Sequence, residues 1–161
     1  MLAALGVLLA AEIILSRFMS ITAWNIKLGF SFVPVAVAAM LYGPLPAALV
    51  AALGDFLGAL LFPIGPYFPG FTLTAFLTGL TFGALLYRKR TAARAALAVA
   101  IVQLPLGLLL NTLWISLLYG SPFLPLLATR AAQAALMGAV QFVTLRLLSR
   151  LPEQMRGGIA A

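Results

Sequence analysis

Long apolar runs recur along almost the whole chain, and they restrict it to one environment. The 161 residues are 64% hydrophobic and only 8% charged. Runs of about 17–25 apolar residues have the length that a helix needs to cross a hydrocarbon layer of about 30 Å. We therefore predict an all-α integral membrane protein, formed by one transmembrane domain over residues 1–161, with no separate soluble domain.

Prolines, glycines and basic clusters divide the chain into six predicted transmembrane helices. The predicted segments are 2–21, 29–43, 45–62, 71–87, 95–119 and 123–150. The sequence Gly43-Pro44-Leu45-Pro46 separates the second segment from the third. Residues 63–70 are too rich in proline to continue the third helix, and they form an aromatic loop.

The basic residues predict how these helices are oriented. Seven of the ten lie between the fourth and fifth segments or near the C-terminal end: Arg88, Lys89, Arg90, Arg94, Arg146, Arg150 and Arg156. Short basic loops stay in the cytoplasm, so we expect the N- and C-termini to be cytoplasmic after six crossings. The net charge of +7 is explained in this way and gives little support to a nucleic-acid partner.

Several kinds of chemistry are excluded or unsupported. The chain has no cysteine and no histidine, which excludes disulfides, thiol catalysis and the usual zinc sites. No phosphate-binding loop of the form G-x-x-x-x-G-K-[ST] occurs, so the chain itself is not expected to hydrolyse ATP. We predict no enzyme activity and no cofactor; a small membrane enzyme remains an alternative without a motif in its favour.

Three basic residues, Arg17, Lys27 and Arg130, belong to the opposite, outer half of the predicted bundle. An arginine at the centre of a membrane helix costs roughly 2.5–3.5 kcal/mol on insertion scales, so such residues usually serve a function. An arginine fork matches a carboxylate in two-point geometry. We predict that these three bind an anionic ligand, although Arg17 could instead extend to the lipid headgroups.

The sixth segment carries a polar stripe. Its members fall within about 80° of one another on a helical wheel: Arg130, Gln133, Met137, Gln141 and Thr144. Such a stripe should face the interior of the bundle or a cavity. It either contributes to a binding site, as we predict for Arg130 and Gln133, or forms hydrogen bonds between helices.

Further candidate ligand groups lie in the third and fifth segments. Asp55 either balances the charge of an arginine or accepts hydrogen bonds from N–H groups of the ligand. Asn111 and Trp114 are three residues apart on one helix face. Asn111 is expected to line a cavity, whereas Trp114 either joins it or belongs to the interfacial belt of aromatic residues.

Aromatic side chains in the outer loops complete the predicted site. Tyr67 and Phe68, together with Trp24 and Phe71, could cover a flat ring. Aromatic faces, amides and cations at one rim suit a flat heteroaromatic ligand with an acidic tail. Glu12, in the other half of the first segment, is expected to lie away from this site.

Small residues four apart allow membrane helices to approach closely. The pairs are Gly6/Ala10, Ala47/Ala51, Gly54/Gly58, Gly79/Gly83 and Ala134/Gly138. Internal packing is the ordinary role of such pairs.

Two stretches resemble the folate-specific S component of energy-coupling factor (ECF) vitamin transporters. They are Leu15-Ser16-Arg17-Phe18-Met19-Ser20-Ile21 and the block from Leu41 to Thr72, which includes Gly54-Asp55-Phe56-Leu57-Gly58 and Pro63-Ile64-Gly65-Pro66-Tyr67-Phe68-Pro69-Gly70. The sequences Lys27-Leu28-Gly29-Phe30 and Val33-Pro34 add to the resemblance, which extends over the whole chain in layout.

The resemblance implies a six-helix vitamin-binding protein of the prokaryotic cytoplasmic membrane. Folate or a reduced folate would bind near the outer face, beneath the loops that follow the first, third and fifth segments. The implied partners are a membrane scaffold subunit, met through the first helix at Gly6 and Ala10, and two cytoplasmic ATPase subunits. An S component for another vitamin, such as thiamine or riboflavin, is the alternative within the family.

Overall fold

Six helices make up most of the described part of the chain. The structure is a computed structural model that describes residues 1–23, 26–63 and 65–150, without the side chains of residues 22, 23, 26 and 27. The helices are α1 (Leu2–Arg17), α2 (Phe32–Tyr42), α3 (Pro44–Leu61), α4 (Pro69–Leu86), α5 (Ala92–Tyr119) and α6 (Phe123–Leu148). The predicted all-α class and the six helices are confirmed.

The helices differ in length. The last four, α3 to α6, are long and apolar enough to cross a membrane. The 11 residues of α2 extend over only about 16 Å at 1.5 Å per residue. The predicted first segment, 2–21, was too long, because α1 ends at Arg17. Residues Ile21–Ala23 (β1) instead pair antiparallel with Ile26–Leu28 (β2), where β-branched residues favour extended backbone.

Helices α2, α3 and α4 form the most closely packed part of the bundle. Gly79 of α4 lies against the backbone of α3: a Cβ atom added there would be 2.5 Å from the carbonyl oxygen of Ala47. One turn further along α4, Gly83 packs in the same way against Pro44. Close approach of two helices gives many van der Waals contacts, which are the main source of helix association in lipid.

The turn between α2 and α3 depends on Gly43. Its φ of +98° lies in the left-handed region, which residues with a Cβ atom rarely adopt. Pro44 follows at the first position of α3, where its missing N–H would have no helical partner. The two residues therefore stop one helix and start the next without an intervening loop.

Arginine side chains join the helices at one end of the bundle. Arg90 donates to the carbonyl oxygen of Met40 at 2.9 Å, and Arg94 donates to that of Leu85 at 3.1 Å. Arg146 of α6 donates to the carbonyl oxygen of Arg90 at 3.3 Å. The two basic regions of the sequence therefore share one end, as an even number of crossings requires. That this end is cytoplasmic stays a prediction.

Helix α5 is not uniform. It is α-helical over Ala92–Ile101, widens into a π-helix over Val102–Leu110 and returns to α-helix over Asn111–Tyr119. Pro105 lies inside the widened part. This segment packs against α6.

The contact at Gly79 predicts a loss of stability on substitution. Gly79→Leu should destabilise the protein by about 1–3 kcal/mol, since the new side chain must separate α3 from α4. The matched control is Gly6→Ala, because a Cβ atom at Gly6 has no neighbour within 4 Å. Thermal unfolding in detergent measures both variants. Equal melting temperatures for Gly79→Leu and the parent chain would contradict this account of the packing.

Candidate ligand-binding site

A cavity of about 620 Å³ lies between the helices. It extends from Tyr67 and Phe68 in the loop before α4 to Glu12 of α1 and Gln141 of α6. Along α6 its lining runs from Arg130 to Gln141, a distance of about 16 Å. Its volume is within the range of about 300–1,000 Å³ that is usual for sites of drug-sized ligands.

Four charged residues line the cavity, two of each sign: Glu12, Arg17, Asp55 and Arg130. The expectation that Glu12 lies away from the site is wrong. Glu12 is buried, at 7% exposure, and its carboxylate occupies the space that a side chain at Gly54 would fill. The described lining is therefore balanced in charge, whereas the sequence had suggested a cavity dominated by cations.

Arg17 lies against α3. A Cβ atom at Gly58 would be only 2.7 Å from its Nε, and its Nη2 donates to the main-chain oxygen of Asp55 at 3.3 Å. The guanidinium is thus held against the backbone of α3. Its Nε is buried and finds no hydrogen-bond partner within the described part of the chain. A buried donor of this kind is expected to have a partner, which a ligand can supply.

The carboxylate of Asp55 is held by the start of α4. Thr72 donates its hydroxyl to Asp55 Oδ2 at 2.8 Å, and the same hydroxyl is 3.0 Å from the hydroxyl of Tyr67. Arg17 meets the backbone of Asp55, so the carboxylate is positioned by hydroxyl groups. The network joins α3 to the aromatic loop and fixes Tyr67 at the end of the cavity that this loop forms.

Arg130 is buried deep in α6, at 8% exposure. Its Nη2 donates to the carbonyl oxygen of Gly107 in the π-helical segment at 3.3 Å. That carbonyl compensates part of the free energy needed to place a guanidinium inside the membrane. The side chain lines the cavity from this position.

The polar stripe of α6 faces the cavity over three turns. The lining includes Arg130, Gln133, Met137 and Gln141, but not Thr144, whose hydroxyl donates to the carbonyl oxygen of Val140. The Oε1 atom of Gln141 is buried and accepts no hydrogen bond from any described residue. The stripe therefore lines the cavity and, through Arg130, also forms a hydrogen bond between α6 and α5.

Asn111 and Trp114 take different places although they are close on the helix. Asn111 lines the cavity, and its buried Oδ1 has no hydrogen-bond partner among the described residues. The indole N–H of Trp114 donates to Thr74 at 3.0 Å, and its ring lies against Gly70 and 5.6 Å from that of Phe68. Trp114 thus supports Phe68, which itself lines the cavity.

The remaining predicted residues lie elsewhere. Lys27 belongs to β2 opposite Thr22, but its side chain is outside the described part of the structure. Gly6 and Ala10 are exposed on the outer surface of α1, away from the cavity.

Sequence reasoning missed Glu12 and Thr72. One signal was present for Glu12, because it and Ser16 are four apart and are the two buried residues of α1. Two polar residues at that spacing mark the inner face of an otherwise apolar helix. Thr72 gave no signal by itself, because its role depends on the loop that brings it to Asp55.

Comparison with known proteins identifies a family. Residues 1–149 match the family described as the substrate-specific component of ECF transporters. The chain is 39% identical to the folate transporter FolT of Clostridium novyi (strain NT) over 139 residues, which cover 86% of this chain and 81% of that protein. It is 30% identical to FolT of Leuconostoc mesenteroides over 144 residues, covering 85% and 77%.

A solved structure has the same fold. The crystal structure of FolT bound with folic acid superposes with a TM-score of 0.87 at 34% sequence identity. The match covers 92% of this chain and 91% of that one. The likeness therefore extends over most of both chains.

The cavity predicts a pattern of chemical accessibility. Because the chain has no cysteine, a single introduced thiol is a clean reporter. Ala59→Cys, in the cavity lining, should react with a small hydrophilic thiol reagent several-fold faster than Leu53→Cys, which is 45% exposed on the apolar outer surface of α3. Mass spectrometry of the labelled protein in lipid nanodiscs measures both rates. Equal rates would mean that water does not reach this lining.

Proposed function

Because the chain belongs to the family of substrate-specific components of ECF transporters, we propose that it is the folate-binding subunit of an ATP-driven vitamin importer. The observation that carries this proposal is the cavity, whose wall combines two guanidinium groups with carboxylate and amide oxygens. Relatives at 39% and 30% identity are named folate transporters, and a structural neighbour binds folic acid.

The wall of the cavity is complementary to the two ends of folate. Folate has a glutamate with two carboxylates, and these match the N–H groups of Arg17 and Arg130. Its pterin ring presents N–H groups, and carboxylate or amide oxygens can accept hydrogen bonds from them. Asn111 and Gln141 offer acceptor atoms that no described residue uses. A lining with both charge signs suits a ligand with donors at one end and anions at the other.

Other vitamins of this family fit less well. Thiamine is a cation, and the acidic residues of the lining reduce the repulsion that the basic residues alone would exert. Charge balance therefore does not exclude it. What distinguishes the vitamins is the buried Nε of Arg17, a donor that the carboxylate of an acidic vitamin satisfies in a charge-assisted hydrogen bond.

The transport cycle requires partner proteins. We assign ATP hydrolysis to two cytoplasmic ATPase subunits and the membrane contact to a scaffold subunit. On α1, Gly6 and Ala10 form a shallow exposed surface with Ala3, against which a scaffold helix can pack closely. Residues 1–161 act as one domain in this assembly, with both termini in the cytoplasm.

Loss of Arg130 should weaken folate binding. Arg130→Ala removes one partner of a buried charged hydrogen bond, which costs about 2 kcal/mol or more and corresponds to roughly a 30-fold higher Kd. Isothermal titration of the purified chain with folic acid measures this effect. Arg146→Ala is the matched control, because it removes an arginine of the same helix at the opposite end of the bundle.

Two results would contradict the proposed function. One is an unchanged affinity for folic acid in Arg130→Ala, with unfolding temperatures that show both variants to be folded. The other is binding of thiamine or riboflavin by the parent chain in preference to folic acid.

A large side chain on the exposed surface of α1 should reduce assembly with the partner subunits without changing the affinity for the ligand. Gly6→Leu places a large side chain on the exposed surface and should reduce co-purification of the scaffold and ATPase subunits. Its affinity for folic acid should match that of the parent chain, because the position is outside the cavity. Normal assembly of this variant would move the scaffold contact to another helix.

A further inference from the structure

The widened middle of α5 is the least regular part of the bundle. Over the nine residues Val102–Leu110 the backbone follows i→i+5 hydrogen bonding, and the N–H of Asn111 still donates to the carbonyl of Leu106. π-Helical geometry occurs mostly as single-turn bulges and frequently lies at functional sites. Here it extends over two turns, next to the cavity.

Two residues explain why the helix widens here. Pro105 has no N–H, and in an α-helix its ring would collide with the carbonyl of Ile101, four residues earlier. A wider turn removes this collision. A Cβ atom at Gly107 would lie 2.9 Å from the carbonyl oxygen of Val102, so the wide turn favours glycine there. Pro105 itself is exposed on the outer surface and does not line the cavity.

Widening changes the direction in which later side chains point. An α-helix turns by about 100° per residue, whereas i→i+5 bonding gives roughly 82°, so nine residues lag by about 160°. The cavity lining on α5 includes a row at every fourth residue: Gln103, Gly107, Asn111, Ile115 and Tyr119. In a uniform α-helix this row would spiral through about 160°, but the π-helical segment keeps it within about 80°.

Two polar atoms of the site lie in this segment or directly after it. The carbonyl oxygen of Gly107 accepts from Arg130 Nη2 at 3.3 Å. Immediately after the segment, the buried Oδ1 of Asn111 lines the cavity without a described hydrogen-bond partner. The directions of both atoms depend on the turn per residue in this segment, which differs from that of an α-helix.

We infer that Pro105 and Gly107 are positioning residues for ligand binding. They hold the wide segment that turns Asn111 into the cavity and presents the Gly107 carbonyl to Arg130. The effect on affinity rests on the proposed function, but the effect on helix rotation does not. Neither residue needs to touch the ligand.

Thiol labelling tests the rotation directly. In the parent background, Asn111→Cys should react quickly with a small hydrophilic thiol reagent, and Leu113→Cys, 39% exposed on the outer surface, should react slowly. With Pro105→Ala added, labelling at 111 should slow several-fold, because the segment returns to α-helix and turns that position away. Leu109→Ala is the matched control: it is in the same segment, 49% exposed and outside the cavity.

Binding supplies the second measurement. In the cysteine-free chain, Pro105→Ala should raise the Kd for folic acid roughly tenfold, as expected when one hydrogen bond to the ligand is lost. Leu109→Ala should leave the Kd within twofold. If the parent chain does not bind folic acid, the proposed function fails, while the labelling pattern still tests the rotation.

A compensating deletion distinguishes rotation from simple damage to the fold. Removing two residues from an α-helix takes away about 200° of turn, which returns Asn111 to within about 40° of its direction in the parent chain. Deletion of Leu109 and Leu110 together with Pro105→Ala should therefore restore fast labelling at 111. The inference is overturned if Pro105→Ala leaves labelling and affinity unchanged, or if the deletion fails to restore labelling.

Discussion

The absence of side chains at Gly54 and Gly58 is the constraint on which the site depends. Ionised groups are costly in a membrane unless they face a polar wall or a cavity. Glu12 and Arg17 of α1 can be inside the bundle only because α3 offers bare backbone opposite each of them. A side chain at either glycine would push a charge toward lipid. The close packing of α1 on α3 and the placement of charged groups in the cavity therefore depend on the same two glycines, and a substitution there would alter both.

The helices could be predicted from the sequence, but the C-terminal end of α1 could not. Apolar runs and Gly-Pro breaks locate the six helices, because both signals are local. The apolar run of α1 continues to Ile21, so composition alone extends that helix by four residues. What stops it is pairing of residues 21–23 with 26–28, which is a contact between two segments. Glu12 was predicted to lie away from the site for a similar reason. Its position along α1 gives its depth in the bundle, but the sequence does not show how deep the cavity extends.

The site residues could be predicted where polar side chains recur along one face of a single helix. The stripe on α6 followed from helical spacing, and four of its five members line the cavity. Asn111 and Trp114 were assigned to one face because an α-helix places them about 60° apart. That angle is enough to send one into the cavity and the other toward α4. Pro105 can be read from the sequence and indicates an irregularity in α5. The length of the π-helical segment cannot be read in this way, because it depends on the fit of α5 against α6.

The arginines at the basic end of the bundle bond to main-chain oxygens of residues 40, 85 and 90. Every residue type offers such an oxygen. These hydrogen bonds therefore do not restrict which amino acid stands at position 40 or 85, whereas position 90 must supply a donating guanidinium as well as an accepting oxygen. The register of the helix ends thus depends on three guanidinium groups and on the backbone they meet, not on a matched set of acidic side chains.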